Sequence, residues 1–126
     1  MKKIKVLIVE DDQALVGILK QALRASQFDI VVAGSAQEGL DQVLAQKPQV
    51  VVLDLLLPGQ TGFELLKKIK GRTDIKNIPV VILSNLGQAE EVRAGLKLGA
   101  DSYLVKADFT IDEVVNEIMK MAKKSK

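Results

Sequence analysis

Five short apolar runs decide what this chain can become: Ile4–Val9, Phe28–Ala33, Val50–Leu53, residues 79–83 and Ser102–Val105. Most are rich in Val and Ile and lack strict alternation. Such runs suit strands covered on both faces, as in a parallel sheet. The segments between them carry helical spacing. Leu15, Ile18, Leu19, Ala22 and Leu23 follow the i, i+3, i+4, i+7, i+8 pattern; Leu40, Val43 and Leu44 repeat it, as do Ile111, Val114, Val115 and Ile118. Helix starts are marked too. Ser35 with Glu38 and Thr110 with Glu113 fit the capping box, in which each side chain satisfies a free backbone N–H. Pro48 is expected to end the second helix, and Gly99 to close the fourth with positive φ.

The order reads strand then helix five times over, with short connections and no internal linker or repeat. Alternation of this kind predicts an α/β domain with helices on both faces of a parallel sheet. Right-handed crossovers leave few topologies. At this size the expected one is a single-domain, doubly wound (βα)5 sandwich of flavodoxin-like strand order 2-1-3-4-5. The 126 residues form one domain, 1–126, with a Lys-rich C-terminal tail at about 120–126.

Composition removes several chemistries. The chain has no cysteine and no histidine, so disulfides, thiolate or imidazole metal sites, Ser-His-Asp triads and a phosphohistidine on this chain are excluded. Seven lysines sit at the two ends: Lys2, Lys3, Lys5, Lys120, Lys123, Lys124 and Lys126. The stretch between holds eleven basic residues against sixteen acidic ones, a balance of −5. With aromatics at 3%, this is not the interleaved basic patch of a nucleic-acid binder, and no direct nucleic-acid contact is expected. No run approaches the ~18 apolar residues of a membrane span. The first apolar run stops at Glu10, too early for a signal peptide, so the expected location is cytoplasmic.

The polar residues fall at the strand ends. The first strand runs into Glu10, Asp11 and Asp12, the third into Asp54, the fourth into Ser84 and the fifth into Lys106. Ligands of open parallel sheets bind beyond the carboxyl ends of the strands, at the switch point of the winding. In order 2-1-3-4-5 that point lies between the first and third strands, which are the two that carry carboxylates. Asp11 or Asp12 alone could simply cap the next helix. Asp54 is harder to dismiss, because it stands between Val-Val-Leu and Leu-Leu-Leu, where a charge is costly unless paired or at a strand end. Two carboxylates ~4 Å apart repel by roughly 4 kcal/mol at an effective dielectric of 20. A hard divalent cation with oxygen ligands, magnesium above all, removes that strain. The loop after the first strand is Glu-Asp-Asp-Gln rather than Gly-rich, and it would repel a pyrophosphate. No GxxxxGK[ST] loop exists, and aromatics to stack on a flavin are missing.

Taken together, IVEDD at 8–12, LDLLLPGQTGFELL at 53–66, VVILSN at 80–85 and GADSYLVK at 99–106 resemble the CheY-like receiver domains of two-component response regulators, over nearly the whole chain. The resemblance implies that Asp54 accepts a phosphoryl group from a histidine kinase or phosphotransfer protein as a carboxylate nucleophile. It implies that Asp11, Asp12, Asp54 and the backbone carbonyl of Leu56 hold Mg2+, which neutralises the transferring phosphoryl oxygens. On the same basis Lys106 contacts the phosphoryl group. Ser84 hydrogen-bonds to it once formed, and Tyr103 turns from exposed to buried. A downstream effector would read the face made by the fourth helix, fifth strand and fifth helix, and the same face could pair two copies on phosphorylation. Pro58, Gly59 and Gly62 match the turn after the phosphorylation site.

Two positions depart from the family pattern. Ala107 stands where proline usually follows the lysine through a cis bond. A cis bond without proline costs ~2.5–4 kcal/mol, so trans is expected at 106–107, with an altered loop into the fifth helix. Asn85 stands where a small residue is common. Leu56 and Leu86 occupy positions that tune water attack on the acyl phosphate in the family. Both are apolar, which implies slow self-dephosphorylation. The leading expectation is a signalling module that modifies its own side chain rather than a free substrate. It is either a stand-alone receiver or a domain cut from a longer regulator. The alternatives are a phosphorylation-independent pseudo-receiver, for which Ala107 is the best support, and a magnesium-dependent phosphatase. The latter would want a second aspartate at position 56.

Overall fold

The computed structural model describes residues 2–59 and 61–124. The five strands are β1 (Ile4–Val9), β2 (Phe28–Ala33), β3 (Val50–Leu53), β4 (Val80–Ser84) and β5 (Ser102–Val105). The helices are α1 (Gln13–Ala22), α2 (Ala36–Gln46), α3 (Gly62–Lys70), α4 (Ala89–Lys97) and α5 (Ile111–Lys124), with a 3-10 turn over Lys106–Asp108. All pairings are parallel and the sheet order is β2-β1-β3-β4-β5. The expected (βα)5 topology is therefore the observed one. The fourth strand lies one residue later than its apolar run suggests, so that Ser84 is its last residue, paired with Val105.

Successive strand residues go to opposite faces of the sheet, and both faces are covered. Val6 and Ile8 of β1 pack with Leu19 and Leu23 from the α1 side and with Val114, Ile118 and Met121 of α5. Leu7 and Val9 pack with Val43 of α2 and Leu65, Leu66 and Ile69 of α3. This two-sided burial is why the strands read as continuous apolar runs. One member of the α1 apolar stripe departs from it: Ile18 is 47% exposed.

The helix boundaries follow local chemistry. At α5, Glu113 N–H donates to Thr110 Oγ1 and Thr110 N–H to Glu113 Oε1, a complete capping box. At α2 only half of the expected box forms. Ser35 Oγ accepts from Glu38 N–H, while Glu38 reaches back to Gly34 N–H instead of Ser35. Lys47, in the left-handed region at φ 45°, closes α2 ahead of Pro48. Gly99 follows α4 at φ 109°, as expected of its position. The Lys-rich segment is not a separate tail as far as it is described: Lys120, Lys123 and Lys124 are exposed residues of α5 itself. Ser125 and Lys126 lie outside the described residues. Among the described residues no helix is long and apolar enough to cross a membrane.

Candidate functional site

The parallel register sets the site. Val9 pairs with Ala33 on one side and with Leu53 on the other. Glu10 N–H then donates to Ala33 O at 2.9 Å, and Asp54 N–H to Val9 O at 3.0 Å. The residues just past β1 and β3 are thereby locked side by side at the switch point of the sheet. Glu10 is 3% exposed and Asp54 5%. Carboxylate oxygens of Glu10, Asp11 and Asp54 all lie within 4.8 Å of one another.

The acidic pair is shifted by one residue from the expectation. Asp11 joins Asp54 as foreseen, but its companion is Glu10 rather than Asp12. The Asp12 carboxylate caps α1, with Oδ1 accepting from Ala14 N–H at 3.0 Å and Leu15 N–H at 3.3 Å. Asp12 contributes its backbone to the site instead, donating its N–H to Glu10 Oε2 at 3.1 Å. Two signals in the sequence point to Glu10. It is the first residue past β1, as Asp54 is the first past β3, and Asp12 stands directly before a helical stripe, where an N-cap belongs.

Lys106 bridges the two buried carboxylates. Its Nζ lies 2.9 Å from Glu10 Oε1 and 3.1 Å from Asp54 Oδ2. Burial pushes the Glu10 carboxyl pKa above its ordinary value. The bonds from Lys106 and from Asp12 N–H pull it back only in part, and the nearby charge of Asp54 adds to the rise. For Lys106, burial opposes the charge, but the hydrogen bonds to Glu10 and Asp54 outweigh it and the ammonium pKa is raised. With all three carboxylates ionised, three negative charges face one positive charge. The residual charge of about −2 and the all-oxygen donor set fit a hard divalent cation such as Mg2+, held by Glu10, Asp11 and Asp54.

The other oxygen of Asp54 is also oriented. Oδ1 accepts from Leu56 N–H at 3.1 Å, while the Leu56 side chain is 53% exposed. The loop turns through Gly59 at φ 82° into α3, where Gly62 N–H donates to Leu55 O at 2.9 Å. A side chain at 62 would collide with the Asp54 carbonyl and lie 2.7 Å from Leu55 Cα, so α3 can dock this close only through glycine.

Ser84 is fully buried at the tip of β4, and its Oγ accepts from Leu86 N–H at 3.3 Å. Tyr103 is half-buried, with its hydroxyl donating to Leu86 O. Both peptide groups of Leu86 are thus occupied, one by each of the expected switch residues. Asn85 is exposed. No peptide bond among the described residues is cis, in agreement with the trans bond expected at 106–107, and Lys106 reaches Asp54 through the 3-10 turn without proline. Two open concavities of about 240 Å³ each lie away from these residues, one around Lys47, Pro48 and Asp74 and one around Lys20, Leu23 and Phe28.

Comparison with known proteins agrees with this geometry. The family model of the response regulator receiver domain matches residues 6–119. The phosphate regulon transcriptional regulatory protein PhoB of Rhizobium meliloti is 30% identical over 122 residues, covering 97% of this chain and 53% of that protein. The transcriptional regulatory protein AfsQ1 of Streptomyces coelicolor is 37% identical over 100 residues, covering 79% of this chain and 43% of that one. This chain therefore spans about half the length of these relatives. The receiver domain of the Francisella response regulator 1452 superposes with a TM-score of 0.88 at 33% identity, covering 98% of this chain and 100% of that one. Strand order, a buried aspartate at the switch point and a match along almost the full length converge on one assignment: the chain belongs to the response regulator receiver domains.

Proposed function

We propose that this domain is the phosphoacceptor switch of a two-component phosphorelay and that Asp54 is the residue phosphorylated. One observation carries the reading: a buried carboxylate aimed by Leu56 N–H and Lys106 and crowded by two further acids. Phosphoryl transfer is chiefly a matter of positioning and of charge neutralisation. An Asp54 oxygen attacks phosphorus as the P–N bond to the donor's phosphohistidine breaks, and the donor ring, already protonated on its other nitrogen, leaves as neutral imidazole. Glu10 and Asp11, with Asp54 and the Leu56 carbonyl, would hold Mg2+, which when bound offsets charge on the transferring oxygens. Asp12 keeps α1 capped and gives its N–H to orient Glu10. Lys106 moves its charge from the free carboxylate to the acyl phosphate, and the Ser84 hydroxyl donates to the new phosphoryl oxygen. Tyr103 carries the change to the α4–β5–α5 face, where an effector or a second copy would read it. The donor is a histidine kinase or phosphotransfer protein.

Incubation with phosphoramidate and Mg2+, followed by intact-mass measurement, tests this reading. It requires one added phosphoryl group that is absent in Asp54→Asn. An unmodified mass in the unaltered protein would instead support a pseudo-receiver. Multiple-turnover phosphate release from free substrates would support a phosphatase.

A further inference from the structure

Helix α4 buries only one of its residues, and that residue is Gly95. Glycine is the poorest helix former short of proline, so its place on the buried face needs a reason. A Cβ at 95 would lie 3.0 Å from Cδ2 and Cε2 of the Tyr103 ring and 2.8 Å from Ile82 Cδ1. Ile82 meets it with the far end of a flexible side chain, whereas Tyr103 meets it with a rigid ring. That ring is also held at its other end, where the hydroxyl donates to Leu86 O. Burial, with the charges of Glu91 and Asp54, raises the phenol pKa, so the group stays a donor at neutral pH.

We propose that Gly95 is a positioning residue for the switch: its missing side chain is the slot that seats Tyr103 against the β4–α4 loop. A side chain at 95 displaces the ring outward and disfavours phosphorylation of Asp54. The second half rests on the phosphoacceptor reading. The route is short, since Leu86 receives Tyr103 on its carbonyl and gives its N–H to Ser84 Oγ. Coupling between two such states is reciprocal: if phosphorylation favours the seated ring, blocking the seat disfavours phosphorylation to the same degree.

The sequence supplies its own probe. Tyr103 is the only tyrosine and there is no tryptophan, so tyrosine fluorescence reports this ring alone. In Gly95→Ala, the acrylamide quenching constant of the unphosphorylated protein should rise at least twofold. The fraction phosphorylated at limiting phosphoramidate should fall at least threefold. In a Tyr103→Ala background the same substitution should leave phosphorylation unchanged. Unaltered quenching overturns the slot. So does restoration of wild-type quenching by Ile82→Val in the Gly95→Ala protein, because the conflict would then lie with Ile82. Loss of phosphorylation that persists without Tyr103 overturns the coupling. If Gly95→Ala does not fold, the Gly95→Ala/Tyr103→Ala protein must fold with a melting temperature at least that of Tyr103→Ala, and its failure to do so overturns the slot. If the unaltered protein takes up no phosphoryl group, the phosphoacceptor reading and the coupling fall together, while quenching still decides the slot.

Discussion

Asp11 and Asp12 are adjacent acids with different jobs, and substituting each in turn separates the jobs. Asp12→Ala removes the oxygen that accepts Ala14 and Leu15 N–H groups. Losing such a cap costs about 0.5–2 kcal/mol, whereas Asp12→Asn keeps an acceptor oxygen in place. Unfolding entropy near 2.1 cal/mol/K per residue gives this chain about 0.26 kcal/mol/K, so 1 kcal/mol moves Tm by about 4 °C. Asp12→Ala should therefore melt about 2–8 °C lower, and Asp12→Asn within about 2 °C of the unaltered protein, with or without metal. The magnesium response separates the two positions. At free Mg2+ ten times its dissociation constant, binding adds about 1.4 kcal/mol, or roughly 5 °C. The attraction between Asp11 and a dication ~4 Å away is about 2 kcal/mol even at the dielectric of water, a factor of about 30 in affinity. Asp11→Asn should then reduce the magnesium shift to under about 1 °C. Both Asp12 variants should keep most of it. Melts with EDTA and with Mg2+, on all four proteins, decide the matter. Loss of the magnesium shift in Asp12→Asn, with retention in Asp11→Asn, would refute the assignment of the acidic pair to Glu10 and Asp11.

Lys106→Met leaves Glu10 and Asp54 buried without their counter-ion. Breaking a buried pair costs about 3–5 kcal/mol; since the lysine is partly exposed, about 2–3 kcal/mol is expected in EDTA, with Mg2+ recovering part of it. Equal urea midpoints for the variant and the parent protein in EDTA would contradict this. The raised Glu10 pKa has a definite sign in pH dependence. Between the ordinary carboxyl value of 4.5 and the raised folded value, the folded protein holds a proton that the unfolded chain has released. This contribution to stability is complete below 4.5, falls as pH rises through the folded pKa and is flat above it. Urea midpoints of the metal-free protein across that range should show this slope, and Glu10→Gln should remove it. Leu56 and Leu86 carry no group to orient an attacking water, so the acyl phosphate should persist for minutes or longer. Its loss within seconds at room temperature, followed by mass, would count against that.

The fold was legible because each face of the sheet leaves its own mark. Val6 and Ile8 serve one layer and Leu7 and Val9 the other, so the strand shows no alternation from Val6 to Val9 and its end stands out at Glu10. Four strands begin and end where the apolar runs do. The fourth is displaced because Pro79 lacks an N–H for the ladder and gives only its carbonyl, to Val51 N–H, while Ser84 is polar but still pairs. Ile18 keeps the spacing of the α1 stripe yet is exposed. Helical spacing identifies a stripe, but how far that stripe turns towards the core depends on which helix packs beside it.

The site was legible as a set of strand ends and less so as a set of ligands, and the difference is a matter of register. Residue type alone makes Glu10, Asp11 and Asp12 equivalent. Their roles diverge through hydrogen bonds that only the assembled sheet and helix provide. Parallel pairing of Val9 with Leu53 forces the next residue of each strand, Glu10 and Asp54, into contact at the sheet edge, where both are buried. Two residues later the chain must enter α1, and the free N–H groups of that helix claim the Asp12 carboxylate. Asp11, between a buried acid and a helix cap, remains exposed and able to meet a cation from the solvent side. The raised pKa of Glu10 is not chiefly a matter of repulsion between carboxylates. For Glu10 the main cause is burial, with the charge of Asp54 a smaller contribution, and Lys106 sits on both acids as their resident counter-ion. On the proposed phosphoacceptor reading, a phosphoryl group arriving at Asp54 would compete with Glu10 for Lys106. On that reading the exchange of Lys106 between partners, rather than relief of bare repulsion between carboxylates, would be the electrostatic event of the switch.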